Sequence, residues 1–299
     1  MGNLGCYYKD GDGVPKDSKK AIDYCTRAAE LGNANAMCNL GLCLYNGDGI
    51  PQDKKRAIEL YEQAAERGNE NAMFNLGNCF FHGDGVPQDI MKAIELYHIA
   101  AERGQREAQY NLGLCYHLGV GVAQNKATGA KLFQMSAAQG DEDAMFNLGF
   151  CYKNGDGIEQ DVKKAIQLFQ AAAAKDQVDA IYCLGVCYLN GDGIDQDKNE
   201  AIMLLQHAAE KGNSQAMRTL GLCFQEGNGL LQDPKKAAQL FQLAVNKGDI
   251  AAMYYLGVCY EKGLGVEKDK KKAAKLYQRA ADNNYPDAVK KVKSGCILQ

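Results

Sequence analysis

The sequence predicts an all-α protein: a right-handed α/α solenoid of eight 36-residue helix–turn–helix repeats, closed by a C-terminal capping helix. Three observations carry this expectation. The dipeptide Leu-Gly falls at Leu4-Gly5, Leu40-Gly41, Leu76-Gly77, Leu112-Gly113, Leu148-Gly149, Leu184-Gly185, Leu220-Gly221 and Leu256-Gly257, each step 36 residues without insertion or deletion. A second marker opens six residues after each of those glycines: GDG at Gly11, Gly47, Gly83, Gly155 and Gly191, and GVG, GNG and GLG at Gly119, Gly227 and Gly263. Each repeat also holds two stretches of helical apolar spacing, and stacked two-helix repeats bury a core that one repeat alone cannot.

The second repeat justifies each element in order. From Ala36, small and apolar residues recur at Ala36, Met37, Leu40, Gly41, Cys43 and Leu44, one face of a helix. Gly47 and Gly49 end it, because glycine takes left-handed conformations at little cost. Asp53 stands where an N-cap belongs, and the position recurs as Asp17, Asp89, Asn125, Asp161, Asp197, Asp233 and Asp269. A second helix runs through Ala57, Ile58, Leu60, Tyr61, Ala64 and Ala65 and stops at Gly68. Gly32, Gly104, Gly140, Gly212 and Gly248 fill the same stop, while Asp176 and Asn284 replace it and are expected to adopt the left-handed cap. Domains are expected at 1–284 for the repeats, with the first clipped at its N terminus because Met1 aligns with Met37. Residues 285–294 then form the cap and 295–299 a flexible tail.

These residues resemble the Sel-1-like repeat family, relatives of the tetratricopeptide repeats, through the pattern LGxCYxxGDGVxxDxxKAIxLYxxAAExGxxxA over nearly the whole chain. The resemblance implies an adaptor or scaffold that holds other proteins. It names no partner, since a fold does not supply one.

Composition excludes several other classes. The chain is 46% hydrophobic and 24% charged, with five prolines and a net charge of −3, as a soluble core-forming protein would be. It shows neither a long apolar run nor a signal-peptide pattern, so a cytoplasmic location is expected. Twelve cysteines would suit a secreted protein, yet seven fall in one column: Cys43, Cys79, Cys115, Cys151, Cys187, Cys223 and Cys259. Column neighbours stand a full repeat apart, too far for a disulfide, so small buried thiols are expected. Cys183 and Cys187 share a helix face but gain no further ligand, and the four histidines fall in four different columns. No phosphate loop is present, and the DGDG at Asp10 lacks the glutamate of a calcium loop. No enzyme, cofactor, metal, nucleic acid or small-molecule substrate is therefore expected.

The face of the first helix left outside the core carries two candidate binding columns. Asn39, Asn75, Asn111 and Asn147 form an asparagine ladder that breaks at Cys183. Phe74, Tyr110, Phe146 and Tyr182 run beside it, with Leu42, Leu114, Phe150 and Val186 as a second rail. An asparagine offers a donor and an acceptor to a peptide group, so a peptide groove is one reading. The other is that these columns only pack and hydrogen-bond between repeats.

The last residues, KKVKSGCILQ, break the pattern. Cys296-Ile297-Leu298-Gln299 fits a prenylation box, with Cys296 as the lipidated residue. Residues 262–299 carry a net +6 against −3 for the whole chain, and Lys270, Lys271, Lys272, Lys290, Lys291 and Lys293 supply the basic patch that a single lipid needs beside it. An N-terminal lipid on Gly2 is the weaker motif, because Cys6 stands where Ser or Thr is preferred. Repeats ending in such a box are similar in architecture to the fungal chitin synthase regulatory subunits. Two outcomes follow from this reading. One is a prenylated adaptor for a protein or peptide, peripheral on a membrane's cytosolic face. The other is an unlipidated scaffold in a cytosolic complex, with a basic cap.

Overall fold

The structure, a computed structural model, describes Tyr8 and residues 13–293, and sixteen helices without a strand among the described residues. The even-numbered ones are the first helices of the repeats and the cap: α2 (Ala34–Asn46), α4 (Glu70–His82), α6 (Arg106–Leu118), α8 (Glu142–Asn154), α10 (Val178–Asn190), α12 (Ser214–Glu226), α14 (Ile250–Lys262) and α16 (Pro286–Lys293). The odd-numbered ones are the second helices: α1 (Ser18–Glu30), α3 (Lys54–Glu66), α5 (Ile90–Glu102), α7 (Lys126–Ala138), α9 (Val162–Ala173), α11 (Lys198–Glu210), α13 (Pro234–Asn246) and α15 (Lys270–Asp282). The architecture is the all-α solenoid that the period predicts.

The chain divides into two compact halves: the N-terminal half reaches Ala144 and takes in Gly155–Glu159, and the C-terminal half holds Met145–Asn154 and the residues from Gln160 onward. In each half helices pack against their neighbours in sequence.

The Leu-Gly glycine explains how two helices close on each other. A methyl group added at Gly41 would lie 2.7 Å from the Tyr61 ring, and at Gly77 2.8 Å from the Tyr97 ring. Gly113 meets Phe133 in the same way, Gly149 meets Phe169, Gly221 meets Phe241 and Gly257 meets Tyr277. Leu205 stands in the ring's place over Gly185. Each of these side chains is fully buried, so the second helix lays its largest group on bare backbone of the first. Ala36 and Ala57, 0% exposed, fill the flanks where nothing larger fits. The cysteine column lies in the same core. Cys79, Cys115, Cys187, Cys223 and Cys259 are buried free thiols, and burial pushes Cys79, Cys223 and Cys259 up to about 11.

Both ends of the helices are fixed by short polar contacts. Asp53 accepts from the Arg56 amide at 3.0 Å, and Asp17, Asp89, Asn125, Asp161, Asp197, Asp233 and Asp269 cap their own helices likewise. First helices are capped by a column not anticipated from sequence: Asn33, Asn69, Gln105, Asp141, Gln177, Asn213 and Asp249 each accept from the amide three residues on. Asp176 (φ 70) and Asn284 (φ 61) take the left-handed stop as expected.

The GDG loops are clasps between repeats. The Asp84 carboxylate accepts from Lys54 Nζ at 2.7 Å and from Tyr45 Oη at 2.5 Å, both in the preceding repeat. Lys126 and Asp156 repeat the pair at 2.8 Å. At the intervening junction the corresponding positions are Phe81, Ile90 and Val120, and at another Pro234 faces Leu264's position. Both partners are replaced at these two junctions, while Ser18 and Val162 precede retained aspartates (Asp48, Asp192) and Lys198 precedes Asn228. The second glycine of the loop is needed for contact as well as for its positive φ. A methyl group at Gly265 (φ +70) would lie 2.0 Å from the Pro234 carbonyl oxygen.

Two sets of variants test these contacts in urea unfolding. Gly221→Ala, forced against Phe241, is expected to cost about 1–3 kcal/mol. Gly248→Ala, with open space around it, is expected to cost only the left-handed penalty of about 1–2 kcal/mol. Gly265→Ala should exceed both, because a carbonyl cannot move aside as a ring can. Lys54 and Tyr45 hold the Asp84 carboxyl below its ordinary range, and Lys126 does the same for Asp156. A depressed carboxylate stabilises the fold above its unfolded pKa and loses that contribution as pH falls through the folded one. Asp84→Asn should therefore be less stable than the unaltered protein at neutral pH, and the difference should vanish below the carboxylate range.

Candidate peptide-binding face

The asparagine and aromatic columns lie where the sequence places them, on the first helices, half-buried. In the N-terminal half Asn39, Asn75 and Asn111 follow one another on α2, α4 and α6. Asn75 Nδ2 donates to Cys38 Sγ at 3.7 Å and Asn111 Nδ2 to Asn78 Oδ1 at 3.3 Å, each reaching the preceding repeat. No described residue donates to Oδ1 of Asn75 or Asn111, so each keeps an acceptor for another molecule.

Phe74 and Tyr110 pack on their own repeats: Phe74 lies 6.0 Å from the Tyr97 ring and Tyr110 6.0 Å from Phe133. They cover the ring that sits on the Leu-Gly glycine, while one edge stays open. In the C-terminal half Asn147, Phe146 and Tyr182 occupy the same columns, half-buried. Phe146 packs at 6.0 Å on Phe169 and at 5.0 Å edge-on to Phe150.

The N-terminal half also holds a pocket that periodicity alone does not announce. Phe81 and His82 from the end of α4, Tyr97 of α5, Asn111, Leu114, Cys115 and Leu118 of α6, and Val120 of the following loop enclose about 250 Å³. Leu118 is 62% exposed and Val120 38%, so the rim is apolar and open to solvent. Its origin is the altered junction: where the preceding repeat pair sets Tyr45, Lys54 and Asp84, this one has Phe81, Ile90 and Val120. The polar clasp is gone and a cleft stands in its place. The signal lay in the GVG marker, whose valine interrupts a run of aspartates.

The expected membrane patch is less uniform than its charge count. Lys272 lies 3.6 Å from its own cap, Asp269, as Lys20, Lys164 and Lys236 lie near theirs, so it belongs to the repeat pattern. Lys291 turns to Glu261 at 2.9 Å and lies over the Tyr277 ring. Lys290 lies 3.4 Å from Asp287, while Lys270, Lys271 and Lys293 are exposed. Cys296 lies outside the described residues. Among those described, no helix is long and apolar enough to cross a membrane.

No curated protein matches the chain. Among solved structures, a Sel1 repeat protein from Oxalobacter formigenes is 30% identical, with a TM-score of 0.70 over 97% of this chain and 85% of that one. A protective antigen of uropathogenic Escherichia coli strains, described as displaying an SLR fold, is 29% identical, with a TM-score of 0.70 over 96% of this chain and 69% of that one. Yeast Tom70, 15% identical with a TM-score of 0.50 over 96% of this chain and 61% of that one, shares the fold alone. The Sel1 repeat model matches eight times, at residues 1–33, 34–69, 71–105, 106–141, 142–177, 178–213, 214–249 and 250–285. The chain belongs to the Sel1 repeat family.

Proposed function

We propose that this protein is a non-enzymatic adaptor. It holds an extended peptide of a partner protein on the first-helix face of its N-terminal half, and a prenyl group on Cys296 tethers it to a membrane. The observation that carries the peptide reading is the apolar pocket beside Asn111. Its volume, about 250 Å³, falls below the roughly 300–1,000 Å³ of small-molecule sites and suits one large apolar side chain. The unused Oδ1 atoms of Asn75 and Asn111 then accept backbone N–H groups on either side of that anchor.

Peptides selected on the unaltered protein from a displayed random library provide the test. They should share one large apolar residue, and Leu118→Asp, which leaves the core untouched, should weaken them at least tenfold. Replacing Asn75, Asn111 and Asn147 together with Ala should remove binding while helicity stays unchanged. Unfolding of that triple variant would make the asparagines structural and sink the groove assignment.

The tether rests on the CILQ motif and on the exposed lysines Lys270, Lys271 and Lys293. Protein made in a eukaryotic host should show a farnesyl-sized mass gain and bind membranes, and Cys296→Ser should lose both. Equal masses, with both proteins remaining in solution, would leave an unlipidated peptide-binding scaffold.

A further inference from the structure

The seventh repeat departs from the others at one position on the first-helix face of the C-terminal half. The column that carries Cys38, Phe74, Tyr110, Phe146, Tyr182 and Tyr254 elsewhere holds Arg218 here, on α12. A guanidinium set among half-buried aromatic side chains loses hydration, and the fold returns only part of it. Arg218 Nε donates to Asp249 Oδ2 at 3.0 Å. The Asp249 side chain is 6% exposed and that of Arg218 22%. Asp249 is committed further, since its Oδ1 caps α14 by accepting from the Ala252 amide at 2.7 Å. The two Nη groups of Arg218 donate to no described residue.

A structural clasp does not require this arrangement. Asn213 reaches Asp179 at 2.8 Å and Asn69 reaches Asn35 at 2.5 Å, in each case tying a cap residue to the preceding repeat through a neutral amide. A single bond to Asp249 is likewise within reach of an uncharged donor. The arginine adds a charge and a flat, two-pronged edge that faces away from Asp249. Phenols lie within reach of its charge: Tyr182 of α10 and Tyr255 of α14 interact with Arg218 electrostatically, and Tyr285, just before α16, bonds to Tyr255 and feels Arg218. All three are half-buried. Burial, and the bond to Tyr255, push the Tyr285 phenol up to about 12, so it keeps its proton at neutral pH.

We infer that Arg218, with the phenols of Tyr182, Tyr255 and Tyr285, forms a receptor for a carboxylate on a peptide partner, either a free C terminus or an Asp or Glu side chain. The two Nη groups meet two carboxylate oxygens in the bidentate geometry that makes arginine–carboxylate pairs strong. A phosphate is the poorer fit, because phosphate sites gather several cations. Here one arginine is already partly offset by Asp249. This inference rests on the chain being a protein-binding solenoid, but it uses residues of the C-terminal half, none of which lines the apolar pocket.

The test uses the full chain labelled with 15N-arginine, titrated with N-acetylphenylalanine, with its amide and with inorganic phosphate. The Nε–H resonance of Arg218 should shift saturably with the acid in the millimolar range, not with the amide, and more weakly with phosphate. Arg218→Lys should weaken acid binding at least tenfold, since an ammonium lacks the fork, and Arg218→Gln should abolish it while keeping a donor for Asp249. Equal response to acid and amide, no saturable shift, or preference for phosphate would each overturn the assignment. If Arg218→Gln fails to fold, the Arg218 resonance of the unaltered protein still decides. Leu118→Asp should leave this titration unchanged, so failure of the pocket and failure of the carboxylate site are told apart.

Discussion

Everything in this solenoid depends on a ring lying against a helix with no side chain beneath it. At Gly41, Gly77, Gly113, Gly149, Gly221 and Gly257 the absent Cβ is what admits the Tyr or Phe of the second helix. That contact sets how closely the two helices approach, and so sets the width of each repeat. Once the ring is seated, Ala36 and Ala57 and their equivalents are the largest residues the flanks accept, and the cysteine column fills the remaining space. The aromatic rail follows from it as well: Phe74, Tyr110 and Phe146 stand half-exposed because they cover a ring that has already taken the deepest position.

Much of this was legible in the sequence. An exact period leaves one fold class, and glycine and aspartate punctuate it at places where only a few residue types serve. Hence Asp53 and its column, and even Asp176 and Asn284, could be assigned roles from their types alone. The cap column of the first helices escaped because glutamine alternates there with asparagine and aspartate, and Gln105 and Gln177 are unusual caps. Junction chemistry escaped for a different reason. Lys54 and Asp84 lie thirty residues apart in the chain, and nothing local to either announces the other. The pocket could not be read from periodicity at all, since it arises where the period is least obeyed.

This contrast locates specificity in the molecule. Positions that hold the repeat together recur with little variation, while those that distinguish one stretch of surface from another are departures from the column. Val120 and Leu118 convert a polar junction into a cleft, and Arg218 places a cation in an aromatic rail. Neither departure disturbs the glycine–ring contact of its own repeat, as Gly113 on Phe133 and Gly221 on Phe241 show. The scaffold tolerates such changes because they lie on the face that the ring does not use.

The Lys–Asp clasps also bear on how such a chain can grow. Copying residues 70–105 alone would set Ile90 against Asp84, and copying 106–141 alone would set Lys126 against Val120. Copying the two together, 70–141, brings Lys126 to Asp84 and restores a matched junction. In this stretch a pair of repeats, and not a single one, is the smallest block whose duplication keeps a Lys–Asp junction matched.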